Sequence, residues 1–240
     1  MPAGWCDLVR WAVRRAGVTS LGGPVRRCVA GAVRSRAAGR CDLAGKPMGS
    51  RLRQNYLPRP ALPAHDGYVL ISDGVIALRP ITVADAEAHL AGEDDELARW
   101  LNGGRGTLET VVRHFDRCVR RWQDNAAGRT FAVLDVASGT LVGTVDVHTR
   151  QPYLIERQAN LAYGIYPDWR KRGFATRAVE LACRFLAESG LADEAVIRVD
   201  PENHASAAVA QRAGFEYSHT SEDDGPIDCY LRCVVERSAP

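Results

Sequence analysis

In the second half of the chain stands the sequence Arg170-Lys171-Arg172-Gly173-Phe174-Ala175, and the segments on either side of it indicate the kind of fold. The preceding segment, 159–166, is apolar and aromatic and ends at Pro167-Asp168, which is typical of a strand followed by a turn. The following segment, 174–188, repeats apolar residues at helical spacing and stops at Ser189-Gly190, which predicts an amphipathic helix. The quoted sequence is therefore a loop from a strand to a helix.

Such a loop is suited to bind an anion. The first turn of a helix carries backbone N–H groups without intrahelical partners, and the helix dipole favours negative charge there. Gly173 lets the backbone approach a ligand closely, and Arg170, Lys171 and Arg172 add positive charge that suits a pyrophosphate. Taken alone, the loop is equally compatible with a solvated basic turn. A Walker-type loop and a dinucleotide fingerprint are excluded, because the further glycines that they need are missing.

A second segment gives the loop a specific context. Residues 194–200 alternate as a strand does and precede a helix-like segment, so the order strand, helix, strand implies a parallel crossover pair. Arg170, Gly173 and Ala175 of the loop are followed, beyond this strand, by Asn203, Ser206 and Gly214-Phe215. Through these residues the segment 159–215 closely resembles the GNAT acetyltransferase superfamily, in which the first three form the pyrophosphate-loop pattern. The later residues resemble in particular its RimJ/RimL-type subgroup of ribosomal-protein alanine N-acetyltransferases.

The resemblance extends over about 69–235 and implies an α/β fold. Its sheet is expected to be mixed and mostly antiparallel, with one parallel pair splayed around a CoA cleft and helices on both faces. Local patterns agree, and Thr82 with Asp85 predicts a helix N-cap. The predicted strands are 74–81, 130–136, 140–147, 159–166, 194–200, 215–220 and 227–235, and the predicted helices are 86–90, 95–101, 107–125, 174–188 and one that begins near Asn203.

Charge is distributed unevenly along the chain. Residues 1–60 contain 12 Lys and Arg but two Asp, a net charge of +10, whereas the remaining 180 residues carry −8. We expect 1–50 to be a disordered basic extension or translated upstream sequence with the true start at Met48, 51–68 to be a proline-containing linker, and 69–236 to be the acetyltransferase domain. A nucleic-acid or membrane arm and an organellar targeting segment are the alternatives. No specific nucleic acid is expected, because the arm has no recognisable binding module.

Other classes of protein are disfavoured by composition. No apolar run reaches the roughly 18 residues that a membrane-spanning helix needs. The seven cysteines are scattered, without CxxC pairs or a His-rich metal spacing, which indicates a reduced cytoplasm and no metal. Cys118 and Cys183 fall at core positions of predicted helices, where we expect small buried side chains rather than nucleophiles.

The resemblance implies an acyltransferase of the EC 2.3.1 class that moves an acetyl group from acetyl-CoA to a primary amine by direct attack in a ternary complex. The acceptor is a protein N-terminus or a small-molecule amine, and a homodimer is left open. Main-chain groups of Ile165 and Tyr166 are expected to align the pantetheine arm, and Asn203 either contacts that arm or caps its helix. The expected cofactor-binding residues are Ile165, Tyr166, Arg170, Lys171, Arg172, Gly173, Phe174, Ala175, Thr176 and Asn203.

Two side chains that are common in the family's catalytic machinery are replaced. Many members have a tyrosine acid where this chain has Ala210, and several have a glutamate where it has Asn160. Ser206 is the implied substitute acid, although a local hydrogen bond at the helix start is equally compatible. Asp146 and His148 share one strand face, where His148 could relay a proton or both could simply be exposed. These replacements leave open a catalytically silent acyl-CoA-binding module as the alternative function.

Two features of the sequence bear on the identity of the acceptor amine. The acidic turn at 222–226 could attract a cationic amine, although a solvated hairpin loop explains it as well. An α-amino group has a pKa of about 8, against about 10.4 for lysine, and so needs less help from a base. The missing glutamate therefore favours an amine of low pKa.

Overall fold

The computed structural model describes residues 71–222 and 225–235. The predicted extension (1–50) and linker (51–68) lie outside the described residues, as do Asp223 and Asp224 of the acidic turn. The strands are β1 (Ile71–Ser72), β2 (Ile76–Pro80), β3 (Gly128–Asp135), β4 (Leu141–His148), β5 (Gln158–Ile165), β6 (Glu194–Val199), β7 (Glu216–Ser221) and β8 (Ile227–Cys233). The helices are α1 (Ala86–Gly92), α2 (Asp95–Leu97), α3 (Leu108–Gln123), α4 (Phe174–Ser189) and α5 (His204–Arg212).

The eight described strands form one open sheet in the order β1-β2-β3-β4-β5-β6-β8-β7. Neighbouring strands run antiparallel except for β5 and β6, which are parallel and are connected through α4. The predicted fold class, a mixed and mostly antiparallel α/β sheet with one parallel pair, is confirmed. The predicted strands and helices agree with the observed ones to within a few residues, except in the segment that follows α1, and the short strand β1 was not predicted.

Helices cover both faces of the sheet. Helices α4 and α5 pack on one face, where the main apolar core includes Phe131, Leu161 and Phe185. Helices α1 and α3 pack on the other face, where a smaller cluster includes Phe115 and Ala132. Because side chains alternate along a strand, Phe131 and Ala132 of β3 serve opposite cores. Of the predicted α3 face, Val111, Phe115, Cys118 and Trp122 are buried and Val119 is half-buried; Cys183 of α4 is buried as well.

The predicted capping pattern is found in the 3-10 turn Val83–Asp85, which leads directly into α1. Asp85 Oδ2 accepts hydrogen bonds from the Thr82 N–H (2.8 Å) and from Thr82 Oγ1 (2.9 Å). Arg79 of β2 donates to both carboxylate oxygens of Asp85. The capping carboxylate thereby fixes the direction in which the chain leaves β2.

The segment after α1 is not the single helix predicted for 95–101. Helix α2 is one turn long and continues as a π-helical turn, Ala98–Asn102, which ends at the left-handed Gly103 (φ 68°). The segment packs tightly on β5: a Cβ added to Gly164 would lie 2.4 Å from Leu97 Cδ2 and 2.9 Å from Leu101 Cδ2. The wider π turn keeps both leucines over a strand that has no side chain at this point.

Candidate active site

The loop before α4 presents an uncapped helix N-terminus. Gly173 occupies the N-cap position in the left-handed conformation (φ 79°), and Lys171 is left-handed too (φ 60°). Among the described residues, no side chain caps this end of α4, and apart from the neighbouring residues of the chain none has an atom within 4 Å of the position that a Gly173 Cβ would take. The start of α4 is therefore uncapped and has open space beside Gly173, as an anion-binding site requires.

The three basic residues of the loop have different roles. Arg170 turns inward: its guanidinium donates to both oxygens of Asp94 (2.7 and 2.8 Å) and to Glu96 Oε2 (2.6 Å), and its Nε donates to the Ile165 carbonyl (2.9 Å). Hydrogen bonding to Asp94 raises the pKa of Arg170, and the same bond lowers the pKa of Asp94. The expectation that Arg170 adds charge at the mouth of the site is thus wrong, because two carboxylates neutralise it.

The other two cations remain on the outside of the loop. Lys171 and Arg172 are exposed, and the Arg172 guanidinium lies 4.9 Å from the centre of the Trp169 ring. Trp169 in turn stacks on Phe174, the buried first residue of α4 (ring centres 5.7 Å apart). Arg170 therefore anchors the loop to α2, and Lys171 and Arg172 supply the positive charge near the helix start.

The parallel pair separates close to this loop. Registered pairing between β5 and β6 covers Gln158 to Asn160 and ends opposite Val196, although both strands continue. The Tyr166 N–H donates to the Val142 carbonyl of β4, so alternation along an antiparallel ladder turns the N–H groups of Tyr163 and Ile165 toward the gap. The N–H groups of Tyr163 and Ile165 therefore point into the gap, whereas the Tyr166 N–H is taken by β4. The pantetheine-aligning role of main-chain groups stays a prediction.

Two polar residues at the start of α5, its N-cap Asn203 and Ser206, lie on the far side of the gap. Asn203 caps α5, since its Oδ1 accepts the Ser206 N–H at 3.0 Å. The Ser206 hydroxyl lies 2.9 Å from Tyr163 Oη of β5, and Tyr163 Oη also donates to the Ser206 carbonyl at 3.1 Å. Tyr163 was not among the predicted site residues. Its position on the same strand face as Leu161 was the sequence signal, but the partner is 43 residues away.

The opposite face of the sheet holds a small cavity that opens to solvent. Asp146 and His148 of β4 both line it, so alternation placed them correctly on one face. Asp146 Oδ1 accepts a hydrogen bond from Thr130 Oγ1 at 2.5 Å. The remaining lining residues are His89, Leu101, Asn102, His114, Phe115, Arg121, Thr130 and Thr144.

Two of these cavity residues, His89 of α1 and His114 of α3, were missed by the sequence analysis. Burial lowers the pKa of His114 to about 4 and also lowers the pKa of His89. His89 Nδ1 lies 2.9 Å from Tyr166 Oη, and burial raises the pKa of that phenol. Both imidazoles are therefore neutral at pH 7, and the tyrosine is protonated. The sequences of these two helices did not indicate the site, because the two histidines come to line one cavity only when α1 and α3 pack together.

Asn160, which replaces the glutamate of several relatives, is 5% exposed. Its Oδ1 is buried and has no hydrogen-bond partner among the described residues. Asn160 is registered opposite His148 and so lies on the cavity side of the sheet, at the point where β5 and β6 begin to separate. A buried carbonyl without a partner is costly, so this position suits a donor from a substrate or water.

Residues 76–216, more than half of the chain, match the family model described as the acetyltransferase (GNAT) domain. The chain belongs to the GNAT acetyltransferase family. It is accordingly an acyltransferase of the EC 2.3.1 class. Comparison with curated proteins gives no match. Within the described residues, no helix is both long and apolar enough to cross a membrane, and no group of three or more His, Cys, Asp or Glu could hold a metal ion.

Solved GNAT structures share this fold. RimL, a ribosomal L7/L12 alpha-N-protein acetyltransferase solved with coenzyme A, is 16% identical with a TM-score of 0.61, over 69% of this chain and 98% of that one. The ribosomal-protein-S5-alanine acetyltransferase of Vibrio fischeri is 17% identical with a TM-score of 0.58, over 71% and 98%. An aminoglycoside acetyltransferase solved with coenzyme A is 15% identical with a TM-score of 0.57, over 66% and 94%. At these identities the likeness concerns the fold.

Proposed function

We propose that this GNAT protein transfers the acetyl group of acetyl-CoA to a primary amine by direct attack in a ternary complex. The observation that carries the proposal is the gap between β5 and β6. An uncapped helix N-terminus follows β5, and a serine hydroxyl and main-chain N–H groups border the gap. RimL and the aminoglycoside acetyltransferase were each solved with coenzyme A, which supports the choice of donor.

On this proposal, the donor is held mainly by the backbone. The N–H groups at the start of α4, from Gly173 through Thr176, bind the pyrophosphate, and Lys171 and Arg172 add charge. The Tyr163 and Ile165 N–H groups bind amide carbonyls of the pantetheine arm. Phe174 anchors the loop through its buried ring, as Arg170 does through Asp94, and Ala175 keeps the first turn free of bulk. Asn203 holds the start of α5.

The chemistry requires a neutral amine and a stabilised leaving group. The amine nitrogen attacks the thioester carbonyl, the C–S bond breaks, and the sulfur leaves as a thiolate that accepts a hydrogen bond from Ser206. The proton released by the nitrogen passes to Asp146 or, through water, to His148, both of which line the cavity. Asn160 Oδ1 accepts a hydrogen bond from the incoming amine or its water.

The acceptor that we favour is the α-amino group of a protein. RimL and the Vibrio fischeri enzyme are named for protein substrates. An α-amino group loses its proton about two pKa units more easily than a lysine side chain does. A site with neutral histidines and an asparagine in place of glutamate suits that easier deprotonation. Small-molecule amines are the competing class.

The test is acetylation by the full chain of peptides with free N-termini, in comparison with the same peptides blocked at the N-terminus, a polyamine and an aminoglycoside. Release of CoA thiol and the mass of the product are measured. We expect turnover with free N-termini and none with the blocked peptides. Binding of CoA without turnover of any amine would show the catalytically silent acyl-CoA-binding module instead.

Variants test the assigned roles. Ser206→Ala should lower kcat by about 100-fold, which is the lower end for a general acid–base group. Asp146→Asn should lower kcat if this carboxylate receives the proton. Asp116→Asn is the matched control, because Asp116 lies on α3 and pairs with the exposed Arg120. Equal losses in the Asp146 and Asp116 variants would contradict the role of Asp146.

A further inference from the structure

The hydrogen bonds between Tyr163 and Ser206 join the two sides of the gap. Tyr163 belongs to β5, and Ser206 belongs to α5, the helix that follows β6. Their hydroxyl oxygens are 2.9 Å apart, and Tyr163 Oη is 3.1 Å from the Ser206 carbonyl oxygen. These bonds hold the serine hydroxyl where the two strands have already separated.

We propose that Tyr163 is a positioning residue that acts through Ser206 and presents the serine O–H to the sulfur of CoA. The inference rests on the proposed role of Ser206 as the hydrogen-bond donor to the leaving thiolate. It adds a residue that the sequence analysis did not identify. Tyr163 lies on strand β5, whereas many relatives carry a catalytic tyrosine on the helix that corresponds to α5.

A serine in a helix either points its hydroxyl to solvent or turns it back to a backbone carbonyl of the preceding turn. The Ser206 hydroxyl is instead directed to Tyr163, and its N–H is held by Asn203. The N–H of Ser206 is thus fixed by the cap of its own helix, and its hydroxyl is fixed by a side chain of β5. Ser206 is half-buried, so its hydroxyl can still reach a ligand in the gap.

The tyrosine proton has two possible acceptors, the Ser206 carbonyl and Ser206 Oγ. When it is donated to the carbonyl, Tyr163 Oη accepts the serine proton, and the serine cannot donate elsewhere. When it is donated to Oγ, the serine O–H is free to donate to sulfur and becomes a stronger donor by cooperativity. A thiolate in the gap favours the second arrangement, because only that arrangement gives the sulfur a hydrogen bond.

The surroundings keep the tyrosine protonated. Burial raises the pKa of Tyr163 to about 12, against the opposing effects of the hydrogen bond with Ser206 and the charge of Arg212. No net proton leaves the pair when the C–S bond breaks, since the amine proton goes to the opposite face of the sheet. Ala210, at the position where many relatives have tyrosine, is fully buried and offers no hydroxyl.

The experiment is a pH titration of the thiol of CoA bound to the full chain, followed by the ultraviolet absorbance of the thiolate. Donation to the thiolate lowers its pKa, so Ser206→Ala should raise the bound thiol's pKa by about one unit. Tyr163→Phe, which removes one oxygen and keeps the ring, should raise it by about half a unit. The double variant should match Ser206→Ala alone, because Tyr163 acts through the serine.

Tyr217→Phe is the matched control, because it also removes a tyrosine hydroxyl that is 2.8 Å from another hydroxyl, that of Thr220. It should leave the bound thiol's pKa unchanged. A wild-type pKa in a folded Tyr163→Phe variant, or single-variant shifts that simply add in the double variant, would overturn the inference. The titration needs no amine, so a protein that binds CoA without turnover would refute the proposed function and still decide the role of Tyr163.

Discussion

Replacement of Gly173 by aspartate should separate CoA binding from folding. The residue has φ of 79°, and apart from its neighbours in the chain no described residue has an atom within 4 Å of a Cβ built there. An aspartate side chain therefore fits sterically, at a backbone cost of about 1–2 kcal/mol for a left-handed non-glycine residue. Its charge would stand roughly 5 Å from a bound phosphate, where two unit charges repel by about 3 kcal/mol at an effective dielectric of 20.

The expected result is a loss of CoA affinity of about 100-fold, since every 1.4 kcal/mol is a factor of ten. Gly173→Ala carries the backbone cost without the charge and should lose far less affinity. Gly139→Asp is the matched control, because Gly139 is also left-handed (φ 69°) with open space at its Cβ, in the turn between β3 and β4. It should lose similar stability and no affinity.

Calorimetric titration with CoA measures the affinity, and urea unfolding measures the stability. Added salt should restore part of the affinity of Gly173→Asp, because the repulsion is screened. Wild-type affinity in a folded Gly173→Asp variant, or equal losses of affinity in the Gly173 and Gly139 variants, would refute the assignment of this loop to the pyrophosphate.

Three further predictions concern packing and charge. Gly164→Ala should lower the free energy of urea unfolding by about 1–3 kcal/mol, since its Cβ would overlap Leu97, and Leu97→Ala in the same chain should recover part of the loss. Arg170→Met should weaken the acid dependence of stability, because Arg170 lowers the pKa of Asp94 in the folded protein. The stabilisation by this ion pair is present above about pH 4 and is lost as the pH falls through the lowered pKa. A urea midpoint that depends on pH below pH 5 as it does in the unsubstituted protein would contradict this. His114→Gln should flatten the stability profile between pH 6.5 and about 4, because the unfolded histidine binds a proton in this range and the folded one does not; thermal melts across that range measure it.

Much of the fold could be predicted because local patterns and long-range packing agree. The apolar spacing that predicts α4 also forms its buried face, and the alternation in β4 places Asp146 and His148 beside the cavity. The π-helical turn after α2 could not be predicted, because it depends on Leu97 lying over Gly164.

The candidate site was predicted less completely, because it too depends on contacts between distant parts of the chain. The pattern that contains Arg170 identifies a loop, but not that Asp94, 76 residues earlier, neutralises its charge. The same limit applies to Tyr163 and Ser206, and to His89 with His114, which come from separate helices. Sequence patterns report which face a side chain lies on; its partner is set by the packing of distant elements.

The short parallel contact between β5 and β6 has a mechanical consequence. In the described part of the chain, the strand pairing that joins the first five strands of the sheet to the last three consists of three registered residue pairs. A ligand that bridges the gap with its own amide groups would complete the sheet as a removable segment of strand. At a ligand concentration 100 times the Kd, its binding would raise the free energy of unfolding by about 2.7 kcal/mol. The resistance of this protein to heat and proteolysis would then follow the supply of its acyl donor.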